Sequence, residues 1–330
     1  MTSLSLIIPV FNRPQELSEL LESIAKQTIL PSEVIIVEDG STDKSDQIVH
    51  QYQSSLTLHY LYQSNTGPGP ARNNGATVAT GNYLIFLDSD VILPSNYIES
   101  VLLSLSNNPT DCFGGPDMAH PSFSPIQKAI SYAMTSPLTT GGIRGGKIKM
   151  DKFYPRSFNM GVKQSVFKEL NGFSPMRFGE DLDLSMRIIE KEFKTSLYPL
   201  TEVFHKRRNT FKSFFKQVYN SGIARINLYK KHPRSLKMVH ALPSLYTIGM
   251  LTLIIAAPLI PQAIIIAIIP SVLIFSHALL QSGNVITSLL ATLASNVQLI
   301  GYGSGFIKAF ILRIILKRDE FHEFKTTFYK

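Results

Sequence analysis

A charge-free stretch near the C-terminus constrains this chain more than any other feature. No Asp, Glu, Lys or Arg occurs between Ala241 and Ile307, whereas ~20 apolar residues are enough to cross a bilayer. Two breaks divide the stretch into candidate spans at about 242–260, 262–281 and 285–307. Polar residues and glycines dilute the third candidate. This favours two spans plus a re-entrant or interfacial third, although hydropathy alone allows three.

Positive charges are concentrated just before this apolar tail. The formal net charge is +8, and the cluster consists of His205, Lys206, Arg207, Arg208, Lys212, Lys216, Arg225, Lys230, Lys231, Arg234 and Lys237. A juxtamembrane position favours an anionic membrane as partner over nucleic acid, or over a merely solvated helix face. We therefore expect a basic amphipathic interfacial helix region over 206–240. A membrane region with two or three hydrophobic spans and a basic tail is expected over 241–330.

The N-terminal apolar run is too short for a signal peptide and is interrupted by Pro9. We therefore expect the first domain to lie in the cytoplasm, and the protein in the cytoplasmic (inner) membrane. Cys112 is the sole cysteine, which excludes an internal disulfide and a thiolate zinc cluster within one chain.

The first half alternates strand patterns with helical ones. Strand-length runs rich in β-branched and aromatic residues are LSLIIPV at 4–10, EVIIVED at 33–39, LTLHYLY at 56–62 and NYLIFLD at 82–88. Helical patterns separate them, and two of these begin at Pro14 and Pro70. The alternation predicts an α/β fold with a mainly parallel central sheet flanked by helices.

Polar residues follow the predicted strands at their carboxyl ends, where open sheets of this kind bind ligands. Four segments meet there: Pro9 to Arg13, Glu38 with Asp39, the glycine-rich Asn65 to Arg72, and Asp88 to Asp90. Two carboxylates separated by one residue can share Mg²⁺ or Mn²⁺ through oxygen ligands and leave positions for substrate phosphates. Taken alone, the triplet Asp88-Ser89-Asp90 is also typical of a polar turn that opens the next helix.

Five motifs in order resemble those of the inverting glycosyltransferases of family 2, which have the GT-A fold. They are IIPVFNRP at 7–14, VEDGSTD at 37–43, NTGPGPARNNGA at 65–76, GNYLIFLDSDV at 81–91 and FNMGVKQSVFKELNGFSPMRFGEDLDLSMRI at 158–188. Each is weak singly, whereas five in the family's order are specific. The resemblance implies a GT-A nucleotide-sugar-binding catalytic domain over 1–205, followed by C-terminal transmembrane helices.

The resemblance also implies a role for each motif position. Nucleotide-sugar-binding residues are expected at Pro9, Phe11, Arg13, Glu38, Asp39, Arg72, Asp88 and Ser89. Asp90 is expected to bind the divalent cation, Mn²⁺ or Mg²⁺, with Asp88 assisting. His205 stands where related enzymes often carry a histidine that completes the metal site. A structural or surface role remains open for His205.

In the Glu180-Asp181 pair, the resemblance assigns the catalytic base to Asp181 and leaves Glu180 to orient the acceptor. Both acids would also stabilise the start of the helix that follows, whatever they do chemically. The implied reaction is a single displacement. Asp181 deprotonates an acceptor hydroxyl, the oxygen attacks the anomeric carbon, and the cation stabilises the departing nucleoside diphosphate.

A membrane anchor beside a transferase domain suggests a lipid-linked or membrane-proximal acceptor in cell-envelope glycan synthesis. Gln217 is followed by no Arg-Trp, and the chain contains no Trp, which disfavours a processive polysaccharide synthase with a Q-x-x-R-W motif. Three alternatives remain open: a polyprenyl-phosphate monosaccharide synthase, a non-catalytic membrane scaffold of the same fold, and a nucleotidyltransferase. The segment Met118 to Lys152 is rich in Pro, Gly, Ser and Thr and predicts an irregular acceptor loop.

Overall fold

The structure, a computed structural model, describes residues 2–140 and 153–319. The elements before residue 119 are β1 (Leu4–Val10), α1 (Pro14–Ala25), β2 (Glu33–Asp39), α2 (Asp46–Tyr52), β3 (Leu58–Gln63), α3 (Pro68–Val78), β4 (Tyr83–Leu87), β5 (Val91–Ile92), α4 (Tyr97–Asn107), β6 (Cys112–Gly114) and β7 (Asp117–Met118). The later elements are α5 (Pro125–Thr135), α6 (Pro137–Thr140), β8 (Asn159–Lys163), α7 (Gln164–Glu169), α8 (Glu180–Glu190), β9 (Thr195–Leu197), β10 (Val203–His205), α9 (Phe211–Lys231), α10 (Leu242–Ala256), α11 (Gln262–Ser282) and α12 (Val285–Ala309). The described residues divide into two compact units, 2–118 with 153–206 and 119–140 with 207–319.

The first unit is built on a seven-stranded sheet of order β3-β2-β1-β4-β8-β6-β9. Among its described strands, only β8 runs against its neighbours β4 and β6, whereas β1 pairs in parallel with β2 and β4. The predicted α/β class with a mainly parallel sheet is therefore confirmed. A parallel sheet must be covered on both faces, and two apolar clusters, one including α1 and the other α7, do so.

Local sequence accounts for the helices that flank the strand ends. In α1, Leu17, Leu20, Leu21 and Ile24 recur at helical spacing and are fully buried. In α3, Gly75 permits close packing on the sheet, because a Cβ there would lie 2.6 Å from Cγ2 of Ile7. The helix after the glycine-rich loop begins at Pro68, two residues before the predicted Pro70.

The irregular loop predicted from Met118 to Lys152 was wrong where the chain forms α5 (Pro125–Thr135) and α6 (Pro137–Thr140), whereas residues 119–124 contain no helix or strand. Ser124 caps α5 with a capping box: its Oγ accepts from the backbone N–H of Gln127 at 3.3 Å, and Gln127 Oε1 accepts from the Ser124 N–H at 3.0 Å. Residues 141–152 of that segment lie outside the described residues.

The second unit is helical. Side chains of α5, α9, α11 and α12 form one apolar cluster that includes Ile130, Phe214 and Ala294. Tyr246 donates to Asn296 Oδ1 at 2.5 Å, and Asn296 Nδ2 donates to Ser271 Oγ at 3.1 Å, so polar contacts join α10, α11 and α12.

Within the described ranges, three helical segments are long and apolar enough to cross a membrane: Met238–Ala256, Gln262–Ser282 and Val285–Ile315. They agree with the C-terminal transmembrane helices predicted from the sequence. A π-helical turn, Phe310–Ile315, continues α12.

Candidate active site

Glu38, near the end of β2, braces the loop that follows it. Its side chain is fully buried and accepts from the Ser45 backbone N–H at 2.8 Å, from the Tyr60 hydroxyl at 3.1 Å and from the Ser41 hydroxyl. Asn12, at a φ of 51°, accepts from the backbone N–H of Thr42 at 2.9 Å. The loops after β1 and β2 are therefore held together.

Asp39, the last residue of β2, holds the glycine-rich loop in the same way. Its Oδ1 accepts from Gln63 Nε2 at 2.8 Å and from the Thr66 N–H at 2.9 Å, and its Oδ2 accepts from the Gly67 N–H at 2.8 Å. The carboxylate is buried, and any nucleotide base that binds it shares it with these donors. The predicted base-binding role of Asp39 stays a prediction.

Pro9 and Phe11 lie at the same sheet edge and are partly exposed. Pro9 pairs in register with Val37 of β2. Arg13 reaches further across the edge, and its Nη1 lies 2.6 Å from Asp90 Oδ2. The structure thus brings the loop after β1 next to the acids after β4.

Asp88, Asp90 and His205 converge at this edge, with one ligand atom from each within 4.8 Å of the others. The small sheet of order β5-β10-β7 explains the convergence, because His205 on β10 pairs with Val91, the residue after Asp90. His205 Nε2 lies 3.1 Å from Asp90 Oδ1. Ser89 is buried between the two acids.

This cluster fits a divalent cation. Asp90 Oδ1 is buried and accepts no hydrogen bond of good geometry within the described residues, even though His205 Nε2 is close. Two carboxylates and one imidazole form a donor set that Mn²⁺ and Mg²⁺ accept. Asp88, whose side chain is 30% exposed, leaves the cluster open on one side.

The charges around His205 shift its pKa strongly. Burial alone would lower that pKa, but Asp90 and Asp117 outweigh burial and raise the pKa of His205 to about 9. Burial likewise opposes ionisation of Asp90, yet His205 and Arg13 hold its pKa below the usual range. At neutral pH the imidazole is therefore protonated, and it would have to release this proton to act as a metal ligand.

Asp117 was missed in the sequence. It is 1% exposed, and its Oδ1 lies 3.8 Å from His205 Nδ1. It reaches His205 because Val203 on β10 pairs with Asp117 on β7. No motif surrounds Asp117, so only this strand pairing could have revealed it.

Arg72 connects the metal cluster to the start of α8. This buried side chain places Nη2 2.6 Å from Asp88 Oδ1 and Nη1 3.1 Å from Glu180 Oε1. Burial and the neighbouring charge of Asp181 raise the pKa of Glu180 to about 7, although Arg72 acts in the opposite direction. Glu180 can therefore exchange a proton near neutral pH.

Asp181, beside Glu180, has a different electrostatic environment. Arg156 Nε donates to its Oδ2 at 2.7 Å, and the Leu182 N–H donates to its Oδ1 at 2.7 Å. Burial would raise the pKa of Asp181, but Arg156 outweighs burial and lowers that pKa below its usual range. Arg156 was also missed, because it precedes the fifth motif and carries no spacing signal of its own.

Comparison with known proteins agrees with this architecture. The chain matches the model of glycosyl transferase family 2 over residues 5–170. It is 30% identical over 213 residues to an uncharacterized glycosyltransferase of Haemophilus influenzae, a match that covers 63% of this chain and 70% of that protein. The chain therefore belongs to glycosyl transferase family 2.

Other relatives are similar over less of their length. Validoxylamine A glucosyltransferase of Streptomyces hygroscopicus subsp. limoneus is 39% identical over 103 residues, which cover 30% of this chain and only 23% of that protein. Among solved structures, the mannosyltransferase PcManGT of Pyrobaculum calidifontis, in complex with GDP-Man and Mn²⁺, aligns at a TM-score of 0.62 and 16% identity, over 90% of this chain and 87% of the other. S. aureus TarS 1–349 with UDP-GlcNAc aligns at a TM-score of 0.51 and 17% identity, over 93% and 91%. These structural likenesses show the GT-A fold.

Proposed function

We propose that this chain is an inverting, metal-dependent glycosyltransferase that moves a sugar from a UDP- or GDP-linked donor to a hydroxyl group. The observation that carries the proposal is the convergence of Asp88, Asp90 and His205 beside an ion-paired Asp181. The family assignment supports glycosyl transfer. The GDP-Man and UDP-GlcNAc in the two structural neighbours support a nucleotide-sugar donor.

The donor binds at the carboxyl edge of the sheet. The residues assigned to it are Pro9, Phe11, Arg13, Glu38, Asp39, Arg72, Asp88 and Ser89. Arg13 and Arg72 supply positive charge there, whereas Glu38 and Asp39 act by fixing the loops that surround the nucleotide. Asp88, Asp90 and His205 would hold Mn²⁺ or Mg²⁺, which stabilises negative charge on the diphosphate when bound.

The residues that handle the acceptor and its proton lie at the start of α8. Asp181 stays ionised because of Arg156 and accepts the proton of the acceptor hydroxyl, whose oxygen then attacks the anomeric carbon. Glu180, held by Arg72, orients the acceptor. One displacement from the face opposite the leaving group inverts the anomeric configuration, and no covalent intermediate is required.

The acceptor is membrane-proximal or lipid-linked, and the reaction belongs to cell-envelope glycan synthesis at the cytoplasmic membrane, with the catalytic domain facing the cytoplasm. The three apolar helical segments and the basic residues before them support this placement.

The test is release of UDP or GDP from a panel of nucleotide sugars by membranes that contain the full chain, with Mn²⁺ or with EDTA. We expect release that needs the cation, disappears in Asp90→Ala and persists in Glu169→Ala, which alters an exposed acid outside the cluster. If no donor is bound or cleaved in a metal-dependent way, the enzyme proposal fails in favour of a scaffold. Near-complete retention of activity in Asp181→Asn would favour a polyprenyl-phosphate acceptor, which needs little help from a base.

A further inference from the structure

Asp117 is an acid on a buried strand face of the first unit. Its side chain is 1% exposed, and Val203, which pairs with it in the neighbouring strand β10, is fully buried. An ionised carboxylate in such a position needs cationic or hydrogen-bond-donating neighbours, because burial removes its contact with water. The neighbours of Asp117 therefore indicate what this acid does.

Strand pairing places Asp117 and His205 on the same face. Strands β7 and β10 run parallel, with Asp117 opposite Val203. Side chains two residues apart in one strand share a face, so His205 projects to the same side as Val203. Diagonal neighbours on one face of paired strands are within reach of long side chains. As a result, Asp117 Oδ1 lies 3.8 Å from His205 Nδ1.

The two ring nitrogens of His205 have different surroundings. Nε2 lies 3.1 Å from Asp90 Oδ1, whereas Nδ1 is buried and has no hydrogen-bond partner within the described residues. The distance of 3.8 Å to Asp117 exceeds that of a good hydrogen bond, but the negative charge of Asp117 favours a proton on the ring. A neutral imidazole carries a single proton, so a proton kept on Nδ1 leaves the lone pair of Nε2 free for a cation.

Phe158 fixes the plane of the same ring. The rings of Phe158 and His205 stack with centroids 5.2 Å apart and planes 22° from parallel. The two residues before Phe158 contact the proposed base: Arg156 Nε lies 2.7 Å from Asp181 Oδ2, and the Ser157 backbone N lies 3.5 Å from the same oxygen. One short segment therefore contacts both His205 and Asp181, so a rotation of the His205 ring would disturb both sides of the site.

We propose that Asp117 is a positioning residue for the divalent cation: it keeps the proton of His205 on Nδ1, so that Nε2 is presented as a ligand beside Asp90. Histidines that bind metals commonly donate their other ring N–H to a carboxylate, which sets the tautomer and the ring orientation. The proposal rests on the proposed function, because it takes His205 as a metal ligand, and it adds a residue outside every recognised motif.

Pulsed electron paramagnetic resonance of Mn²⁺ tests the proposal, because a bound imidazole gives the ion a nitrogen coupling. The full chain is purified in detergent and saturated with Mn²⁺ alone. His205→Ala identifies the coupling that belongs to His205 among the eight histidines of the chain. We expect wild type to show this coupling, and Asp117→Ala to bind Mn²⁺ through Asp88 and Asp90 without it.

Two further variants make the comparison specific to Asp117. Asp117→Leu fills the buried position with an apolar side chain of similar size and should lose the coupling in the same way. Glu202→Gln removes a partly exposed carboxylate from the residue directly before β10 and should keep the coupling. Melting temperatures of all variants are measured in parallel.

The spectrum is a better readout than Mn²⁺ affinity. Asp117 also stabilises the protonated ring, which competes with the cation for His205. Removal of Asp117 would therefore ease this competition and at the same time release the ring from its orientation, and the two effects on affinity have opposite signs. At saturating Mn²⁺ the nitrogen coupling reports only whether the ring is a ligand.

Retention of the wild-type coupling in either folded variant at position 117 would overturn the proposal, as would its loss in Glu202→Gln. If both variants at position 117 fail to fold, Asp117 serves the stability of the fold and the positioning role is likewise overturned. Mn²⁺ binding without nitrogen coupling in wild type would overturn this proposal alone. Absence of Mn²⁺ binding in wild type would overturn the metal-dependent function with it, so the two failures are distinguishable.

Discussion

Replacement of Arg156 by Ala should change how the reaction depends on pH. In the structure, Arg156 Nε lies 2.7 Å from Asp181 Oδ2, and the Asp181 side chain is only 10% exposed. An opposite charge at this distance from a carboxylate lowers its pKa by about 1–3 units. The removal of Arg156 should therefore raise the pKa of Asp181 by a similar amount.

In the proposed mechanism Asp181 accepts a proton as the carboxylate, so activity should be lost as the pH falls through the pKa of this group. We expect the acid limb of kcat/KM for nucleotide release to move upward by about 1–3 pH units in Arg156→Ala. At a pH below the Asp181 pKa of both enzymes, kcat/KM of the wild type should then exceed that of Arg156→Ala by about 10- to 1000-fold. Arg156→Lys keeps the charge and should leave the limb near that of the wild type. A uniform loss of rate in Arg156→Ala with an unmoved acid limb would refute the reasoning and leave Arg156 a purely structural role.

Three further perturbations follow from the geometry. Asp39→Ala removes the acceptor of the Thr66 and Gly67 N–H groups and should lower the free energy of unfolding in urea by about 3 kcal/mol. An unchanged midpoint of urea unfolding would contradict the role of Asp39 in holding the glycine-rich loop. The folded-state pKa of Glu180, about 7 against 4.5 for the free group, means that the folded state binds more protons between these values. Its contribution to stability should therefore fall by about 3 kcal/mol as the pH rises from about 4.5 to 7, and Glu180→Gln should abolish this dependence. Gly301→Ala should cost about 1–3 kcal/mol by overpacking against α9, seen as a lower Tm in detergent, whereas Gly249→Ala, with nothing within 4 Å of its added Cβ, should be neutral.

The parts of this fold that depend on local pattern follow from the sequence. The runs that became β1, β2 and β4 are apolar over strand length, and helical spacing of leucines marks α1. Once the sheet is parallel, the carboxyl ends of its strands must share an edge. That rule places the loop that carries Arg13 at the same edge as Asp90, where the structure shows the two side chains in contact.

The contacts that define the chemistry of the site depend on long-range pairing. His205 meets Asp90 only because β10 pairs with β5, and it meets Asp117 only because β10 also pairs with β7. Both β5 and β7 have two residues, too few to give a periodic signal. Helix α5 did have a local signal in the Ser124 capping box, but the glycines and prolines around it favoured a loop.

The helical unit is assembled from two separated parts of the chain, and this order has a consequence during synthesis. About 150 residues separate the end of α5 at Thr135 from the start of α12 at Val285, although both helices contribute to one apolar cluster. At ~5–20 residues per second, a ribosome needs about 8 to 30 s to cover that distance. During this interval the apolar face of α5 has no α12 to cover it. A nascent chain that stalls before α12 would therefore present α5 to chaperones and proteases.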